Sequence, residues 1–150
     1  MITLLVVGKI KENFLKEGVS EYKKRISHFD KINIIEIDEE GESPANIVSE
    51  SKNILNVIPS NSYSIALDMR GKQMSSVAFA EKISNVYATN KTHLCFIIGG
   101  SRGLSSDLID NVNLVVSFSE MTFPHQLFRL ILLEQIYRAF KINSNQVYHK

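Results

Sequence analysis

Two short apolar runs in the last third of the chain constrain its fold more than any other feature. Residues 94–98 run into the glycine-containing loop 99–103, and residues 114–118 run into a second loop over 119–126. Apolar runs of this length are typical of strands buried on both faces of a parallel sheet. Strands that end in loops of functional residues and lead into helices form the ligand crevice of open α/β sheets. The sequence therefore predicts a small-molecule site here.

The rest of the chain continues the alternation of strands and helices. The predicted strands cover residues 2–7, 32–38, 63–67, 94–98 and 114–118. The predicted helices cover residues 11–29, 44–57, 76–88, 104–111 and 124–142. We predict that residues 39–42 form an acidic turn and that residues 68–72 form a loop after the third strand. This alternation predicts one α/β domain over residues 1–150, with a mostly parallel sheet and helices on both faces.

The composition is that of an ordinary soluble globular domain. The chain has 150 residues, of which 44% are hydrophobic and 22% are charged, so it can bury a substantial core. No apolar run reaches the length of a membrane span, and residues 1–7 are too short for a secretory leader. The single cysteine, Cys95, lies in an apolar strand, which favours a buried thiol and a reducing, cytoplasmic location.

The net charge of +1 hides an uneven distribution along the chain. Residues 1–31 carry seven Lys or Arg against four Asp or Glu, and residues 121–150 carry four against one. Residues 32–68 carry one basic residue against seven acidic ones. This pattern allows an anionic partner at one surface, but it is too mild to predict tight non-specific binding of nucleic acid.

The two long helices at the chain ends differ in their apolar patterns. In the first, an apolar face is predicted from Phe14, Leu15, Val19, Tyr22 and Ile26. The last helix is apolar around nearly its whole circumference, so it must be covered on more than one side. A second copy of the protein is the cover we favour. The alternative is a fully buried central helix.

The two loops carry the candidate binding residues. Residues 99–103 lack both the glycine spacing of a dinucleotide fingerprint and the lysine of a P-loop, but adjacent glycines let the backbone approach a ligand. In the second loop, apolar and polar side chains alternate, as in a pocket that packs an aromatic ring and bonds its edge. The alternative is a hydrophobic staple before a helix, which explains only Phe123 and Pro124.

The residue pattern favours a group-transfer reaction with a bound cofactor. The four histidines have no zinc-ligand spacing, and no paired carboxylates accompany a candidate nucleophile, so we predict no metal site and no serine hydrolase chemistry. A cofactor that brings the reactive atom, held in position by the protein, fits the loops better. Two other classes stay open: a non-catalytic adenosine-nucleotide-binding regulator, and an RNA-binding module without a cofactor.

Five segments together resemble one known family. Residues 5–9, 97–104, 117–126, 134–142 and 148–150 closely resemble the ribosomal RNA large-subunit methyltransferase H family of the SPOUT class. The resemblance covers the whole chain. It implies an enzyme that uses S-adenosylmethionine to methylate N3 of the pseudouridine at position 1915 of 23S ribosomal RNA in the assembled ribosome. It also implies a homodimer and a trefoil knot in the C-terminal half.

The resemblance also implies which residues form the site. The cofactor pocket would consist of Leu67, Gly99, Phe118, Ser119, Glu120, Met121, Thr122 and Phe123. Because N3 of the base carries a proton that must leave, a base or an anion stabiliser is needed near the methyl group. The candidates are His125, Arg129, Arg138, Tyr148 and His149.

Our hypothesis for the end of the chain is that Arg138 and the tail residues Tyr148 and His149 contact RNA, across a dimer interface. The alternative for Arg138 is an ion pair at the helix end. The alternative for Tyr148 and His149 is a frayed terminus.

Overall fold

A computed structural model describes residues 1–41 and 43–150, and it contains one five-stranded sheet. The strands are β1 (Ile2–Val7), β2 (Ile32–Ile37), β3 (Ser62–Gln73), β4 (His93–Ile98) and β5 (Leu114–Ser117). Their order across the sheet is β2-β1-β4-β3-β5, and every pairing is parallel. The predicted acidic turn at 39–42 includes Glu42, which lies outside the described residues.

In the described residues, four helices connect consecutive strands and a fifth follows β5. They are α1 (Asn13–Ser27), α2 (Pro44–Val57), α3 (Ser76–Tyr87), α4 (Ser106–Asn111) and α5 (His125–Asn143). Apart from β3, each element ends within two residues of its predicted bounds. The prediction of an α/β fold with a parallel sheet is confirmed.

The sheet separates two hydrophobic cores, and the side chains of its central strands alternate between them. In β1, Leu4 and Val6 face one core, whereas Leu5 and Val7 face the other. The larger core is closed by α1, α3 and α5, and the smaller one by α2 and α4. Helices therefore cover both faces, as predicted. Cys95 belongs to the smaller core, where burial raises the pKa of its thiol to about 12.

Strand β3 differs from its prediction because it continues beyond Leu67. Leu67 and Lys72 both pair with Val116, so residues 68–71 form an insertion after which β3 pairs again with β5. The predicted loop at 68–72 is therefore wrong, because all five residues lie within β3. Gly71 allows the second pairing: a Cβ there would lie 2.6 Å from the backbone carbonyl carbon of Val115. The residues around Gly71 in the sequence do not indicate that its backbone lies against that of Val115.

Helices α1 and α5 lie side by side and run in the same direction. Near their starts the Lys11 amide donates to Gln126 Oε1, and further along Gly18 lies against Leu130. The buried residues of α1 are Leu15, Val19 and Ile26. The predicted place of Phe14 on this apolar face is wrong: its side chain is 67% exposed, because it lies about 100° around the helix from Leu15.

Replacing Gly71 by alanine is expected to destabilise the fold. The new methyl group would collide with backbone atoms, which cannot turn aside, so we expect a loss of about 1–3 kcal/mol in the free energy of unfolding. Urea denaturation measures this loss. The matched control is Gly18→Ala, where the new methyl meets only the flexible end of Leu130. Equal stability of the Gly71 variant and the wild type would contradict this account of β3.

Candidate functional site

A cavity of about 540 Å³ lies where the carboxyl ends of β3, β4 and β5 meet. Its volume falls within the range of about 300–1,000 Å³ that is usual for small-molecule sites. Three segments form its walls: residues 67–70, the glycine loop 98–104, and the loop 116–123. His125 and Phe128 of α5 complete it. The two loops singled out in the sequence therefore line one cavity, together with the insertion in β3.

Seven of the eight predicted cofactor-binding residues line this cavity. They are Leu67, Gly99, Phe118, Ser119, Met121, Thr122 and Phe123. Glu120 is exposed and does not belong to the lining. The sequence did not predict that Asp68 pairs with Arg70, or that Phe128 lines the cavity. The glycine and aromatic residues of the loops were visible in the sequence, but the pairing of Asp68 with Arg70 across the insertion was not.

The glycine loop is a tight turn that excludes larger residues. A Cβ at Gly99 would lie 2.5 Å from the carbonyl oxygen of Gly103. Gly103 has a φ of +82°, in the left-handed region that glycine adopts without strain, and its amide donates to the Gly100 carbonyl at 3.0 Å. The wall at this point is therefore backbone, which can approach a ligand closely and offers amide and carbonyl groups.

Arg70 ties the insertion in β3 to the glycine loop. Its guanidinium donates to both carboxylate oxygens of Asp68, at 2.8 and 2.9 Å, and to the Leu104 carbonyl at 2.6 Å. Burial alone would raise the pKa of the Asp68 carboxyl, but hydrogen bonds from the Arg70 side chain and amide lower it below its ordinary value. The pair fixes two walls of the cavity and adds little net charge.

Aromatic rings anchor the second loop to α5. Phe118 packs edge-on against Phe79 and Phe128, with ring centroids 5.8 and 5.1 Å apart. Phe123 stacks on Phe128 at 6.1 Å. The Met121 amide donates to Ser119 Oγ at 3.0 Å, and this hydrogen bond stabilises a turn in the loop. Met121 itself is 75% exposed. The loop thus presents a fixed apolar wall and a flexible methionine at the mouth.

His125 and Arg129 lie one turn apart at the start of α5, against Gly8. His125 Nε2 is buried and has no hydrogen-bond partner in residues 1–41 and 43–150. Arg129 is almost fully buried; it donates to Glu36 Oε1 at 2.6 Å and to the Gly8 carbonyl at 2.9 Å. Arg129 therefore joins α5 to β1 and β2, and its charge is already engaged. Arg129 Nε is also buried without a partner in the described residues, but of this pair only His125 lines the cavity.

The structure brings Arg138, Tyr148 and His149 together around Glu134. Arg138 Nη2 donates to Glu134 Oε1 at 2.6 Å, and Arg138 Nη1 lies 3.2 Å from His149 Nδ1. The Tyr148 hydroxyl donates to the same carboxylate oxygen at 3.1 Å, and the Arg138 guanidinium lies over its ring. We call these four residues the tail cluster. The tail is docked rather than frayed, and the ion pair considered for Arg138 does form.

The tail cluster keeps Tyr148 protonated. Burial raises the pKa of Tyr148, and its hydrogen bonds with Tyr22 and with the neighbouring carboxylate of Glu134 raise it further. A neutral hydroxyl can donate a hydrogen bond to an RNA group but cannot accept a proton at neutral pH. Sequence reasoning missed Glu134, although its spacing four residues before Arg138 is the usual signal of a helical ion pair.

The predicted catalytic residues form two separate groups within one chain. His125 and Arg138 stand thirteen residues apart on α5, which corresponds to about 20 Å along the helix axis. His125 lies at the cavity, and the tail cluster lies near the opposite end of the helix. One chain alone therefore does not bring the tail cluster to the cavity.

The described residues contain neither a cluster of metal ligands nor a membrane-spanning helix. No group of three or more His, Cys, Asp or Glu side chains is placed to hold a metal ion. No helix in this part of the chain is long and apolar enough to cross a membrane.

Comparison with known proteins identifies the family. A family model described as a predicted SPOUT methyltransferase matches residues 1–149. The chain is 49% identical over 158 aligned positions to ribosomal RNA large subunit methyltransferase H of Clostridioides difficile (strain 630), with 99% of each chain covered. The protein of the same name in Carboxydothermus hydrogenoformans is 48% identical, again over 99% of each chain. The chain belongs to the ribosomal RNA large subunit methyltransferase H family of SPOUT methyltransferases. The resemblance seen in the sequence motifs is confirmed.

Solved structures of methyltransferases share the fold at low sequence identity. A probable methylase family protein from Haemophilus influenzae Rd KW20 has a TM-score of 0.58 at 11% identity, over 99% of this chain and 70% of that one. A putative methyltransferase from Legionella pneumophila, in complex with bound SAM, has a TM-score of 0.52 at 13% identity, over 92% and 66%. The observed strand order is consistent with the SPOUT fold, and the knot stays a prediction.

Replacing Gly99 by alanine is expected to weaken binding of S-adenosylmethionine at least tenfold, which is about 1.4 kcal/mol. The new methyl group would push the glycine loop away from Gly103 and open the wall of the cavity. Isothermal titration calorimetry measures the change. Gly18→Ala, which lies on α1 away from the cavity, serves as the control and should bind like the wild type. Undiminished affinity of the Gly99 variant would show that this loop does not contact the cofactor.

Proposed function

We propose that this protein transfers a methyl group from S-adenosylmethionine to N3 of the pseudouridine at position 1915 of 23S ribosomal RNA, in the assembled ribosome. The observation that carries the proposal is the cavity of about 540 Å³ with a glycine wall and an aromatic wall, in a chain related over its full length to methyltransferases of the large ribosomal subunit. The pseudouridine and its N3 atom are what the sequence motifs imply. With a ribosomal substrate, we expect the protein to act in the cytoplasm, and we propose that residues 1–150 form a single SPOUT domain.

The size of the cavity suits S-adenosylmethionine. The cofactor carries a sulfonium and no phosphate, and the glycine loop has no lysine positioned as in a phosphate-binding loop. A Cβ at Gly99 would collide with the backbone of Gly103, so only glycine is compatible with the turn that forms this wall of the cavity. Leu67, Phe118 and Phe123 would pack against the adenine, and the backbone of residues 99–103 would bond its polar edge. When bound, the cofactor supplies the methyl group and a good leaving group.

The chemistry left to the protein is to place the base and remove its proton. His125 is the titratable side chain of the cavity lining with a free, buried ring nitrogen, so we assign it the role of handling the N3 proton or a water next to it. Glu120 does not belong to the cavity lining. We keep it in the proposed cofactor loop only because it is part of the sequence motif.

A homodimer would complete the site by adding the tail cluster of the partner to the cavity. The separation of about 20 Å along α5 prevents one chain from doing so. An apolar surface suited to pairing lies beside the cavity: Phe14 is exposed at the start of α1, and Leu127, Leu130 and Ile131 of α5 are only partly buried. Two copies related by a twofold axis would make two equivalent composite sites.

Light scattering at micromolar concentration is expected to give twice the chain mass of 17.0 kDa. Phe14→Asp should shift the equilibrium toward the monomer, because it places a charge in the apolar surface. The matched control is Val48→Asp: Val48 is also exposed, but it lies on α2 at the other face of the sheet. A species of 17.0 kDa alone for the wild type would contradict the dimer.

Removing residues 148–150 is expected to abolish methyl transfer to ribosomes while S-adenosylmethionine still binds. The deletion takes away Tyr148 and His149 but leaves every residue of the cavity. Val147→Ala is the control, since Val147 is 93% exposed and should be dispensable. Turnover is followed with labelled cofactor, and cofactor binding by calorimetry. Unchanged turnover would remove the tail from the mechanism.

The reaction itself is tested by methyl transfer from labelled S-adenosylmethionine to ribosomes, free subunits and protein-free RNA. The proposal expects transfer to assembled ribosomes and a modified position 1915. Calorimetry with S-adenosylmethionine and ATP separates the enzyme from an adenosine-nucleotide regulator, which would bind ATP. Tight ATP binding without methyl transfer to any of the three RNA substrates would overturn the proposal.

A further inference from the structure

A second cavity, of about 340 Å³, lies between the ends of α1 and α5, on the tail side of the molecule. Its lining consists of Arg25, His28, Phe29, Tyr137, Lys141 and Gln146. We call it the α1–α5 cleft. It contains none of the residues of the cofactor cavity, and its volume is sufficient for a group the size of one nucleotide.

The cleft is positively charged, and its cations keep free donors. Arg25 Nε donates to Glu21 at 2.9 Å, but its two Nη groups have no hydrogen-bond partner among the described residues. Lys141 Nζ donates to Gln146 Oε1 at 2.6 Å and has two more protons to donate. The lining contains no carboxylate. The site therefore favours an anion.

Aromatic rings form the other part of the lining. Phe29 stacks on Phe140 with centroids 5.3 Å apart and meets the edge of Tyr137 at 6.1 Å. The Arg25 guanidinium lies 5.7 Å from the Tyr137 centroid, and Lys141 Nζ lies 6.0 Å from it. Planar rings beside cations that have free donors are the combination that holds single-stranded nucleic acid, by stacking on bases and pairing with phosphates.

The cleft brings together basic residues from both ends of the sequence. Because α1 and α5 run in the same direction, their last turns lie at the same end of the molecule, and Lys24, Arg25 and Lys141 lie in those turns. Stabilisation of the helix dipoles accounts for positive charge at each helix end. Stabilisation of the dipoles does not explain why Arg25 and Lys141 line the same cavity as two aromatic rings.

We propose that the α1–α5 cleft binds one nucleotide of the RNA substrate that flanks the target base. Arg25 and Lys141 contact its phosphate, and Phe29 and Tyr137 contact its base. The inference rests on the proposed function. It also gives the RNA a continuous path, because the Tyr137 ring lies 5.0 Å from that of Tyr148 in the tail cluster.

The test compares binding of purified bacterial 70S ribosomes by four full-length proteins over a series of salt concentrations. They are the wild type, the double variant Arg25→Gln/Lys141→Gln, the charge-preserving variant Arg25→Lys/Lys141→Arg, and the control Lys52→Gln/Lys91→Gln. The control removes the same charge from two exposed lysines elsewhere. Losing contacts to phosphate should weaken binding and make the plot of log affinity against log salt less steep by about one unit per contact.

We expect the smaller slope of log affinity against log salt, together with a raised KM for ribosomes, only in Arg25→Gln/Lys141→Gln. The affinity of this variant for S-adenosylmethionine should not change. The charge-preserving variant should recover most of the binding. Wild-type salt dependence in the glutamine variant would overturn the inference, as would an equal loss in the control. A change from dimer to monomer in light scattering would overturn it too, by making the cleft a protein interface. Absence of methylation by the wild type would instead refute the proposed function.

Discussion

The close approach of backbone to backbone at the carboxyl edge of the sheet is the constraint on which the site depends. At Gly71 the insertion of β3 lies directly on β5, and at Gly99 the loop after β4 folds onto Gly103. Neither contact leaves room for a Cβ. Together with the link from Arg70 to Leu104, they hold three chain segments around one cavity. The apolar strands β1 and β4 in the sheet interior give these loops a rigid base.

Much of this fold is predictable from periodicity and length. Buried parallel strands read as continuous apolar runs, and β4 shows why: Leu94 and Phe96 face one core while Cys95 and Ile97 face the other. The insertion at 68–71 was not predictable, because the same residues are compatible with a simple loop and only the pairing with β5 distinguishes the two. Phe14 was assigned to the wrong side, since one residue of error in a helix turns a side chain by about 100°.

The candidate site was predictable where local chemistry marks it, and not where it depends on contacts between distant residues. Glycine and aromatic residues after strands indicated the cavity. The ion pair of the buried Arg129 with the exposed Glu36 was not visible, and it makes Arg129 a link between α5 and the sheet. Docking of Tyr148 and His149 on Glu134 and Arg138 likewise depends on the tertiary fold.

The central claim is that each active site combines the cavity of one protomer with the tail cluster of its partner. Mixing two variants tests it most directly, at a concentration of S-adenosylmethionine too low to load Gly99→Ala: this variant, whose cavity binds the cofactor weakly, and a chain lacking residues 148–150. After subunit exchange at equal amounts, half of the dimers are mixed and each contains one intact composite site, so we expect about a quarter of the wild-type methylation of ribosomes. If cavity and tail act within one chain, the mixture will stay as inactive as its components, and that result would contradict the account.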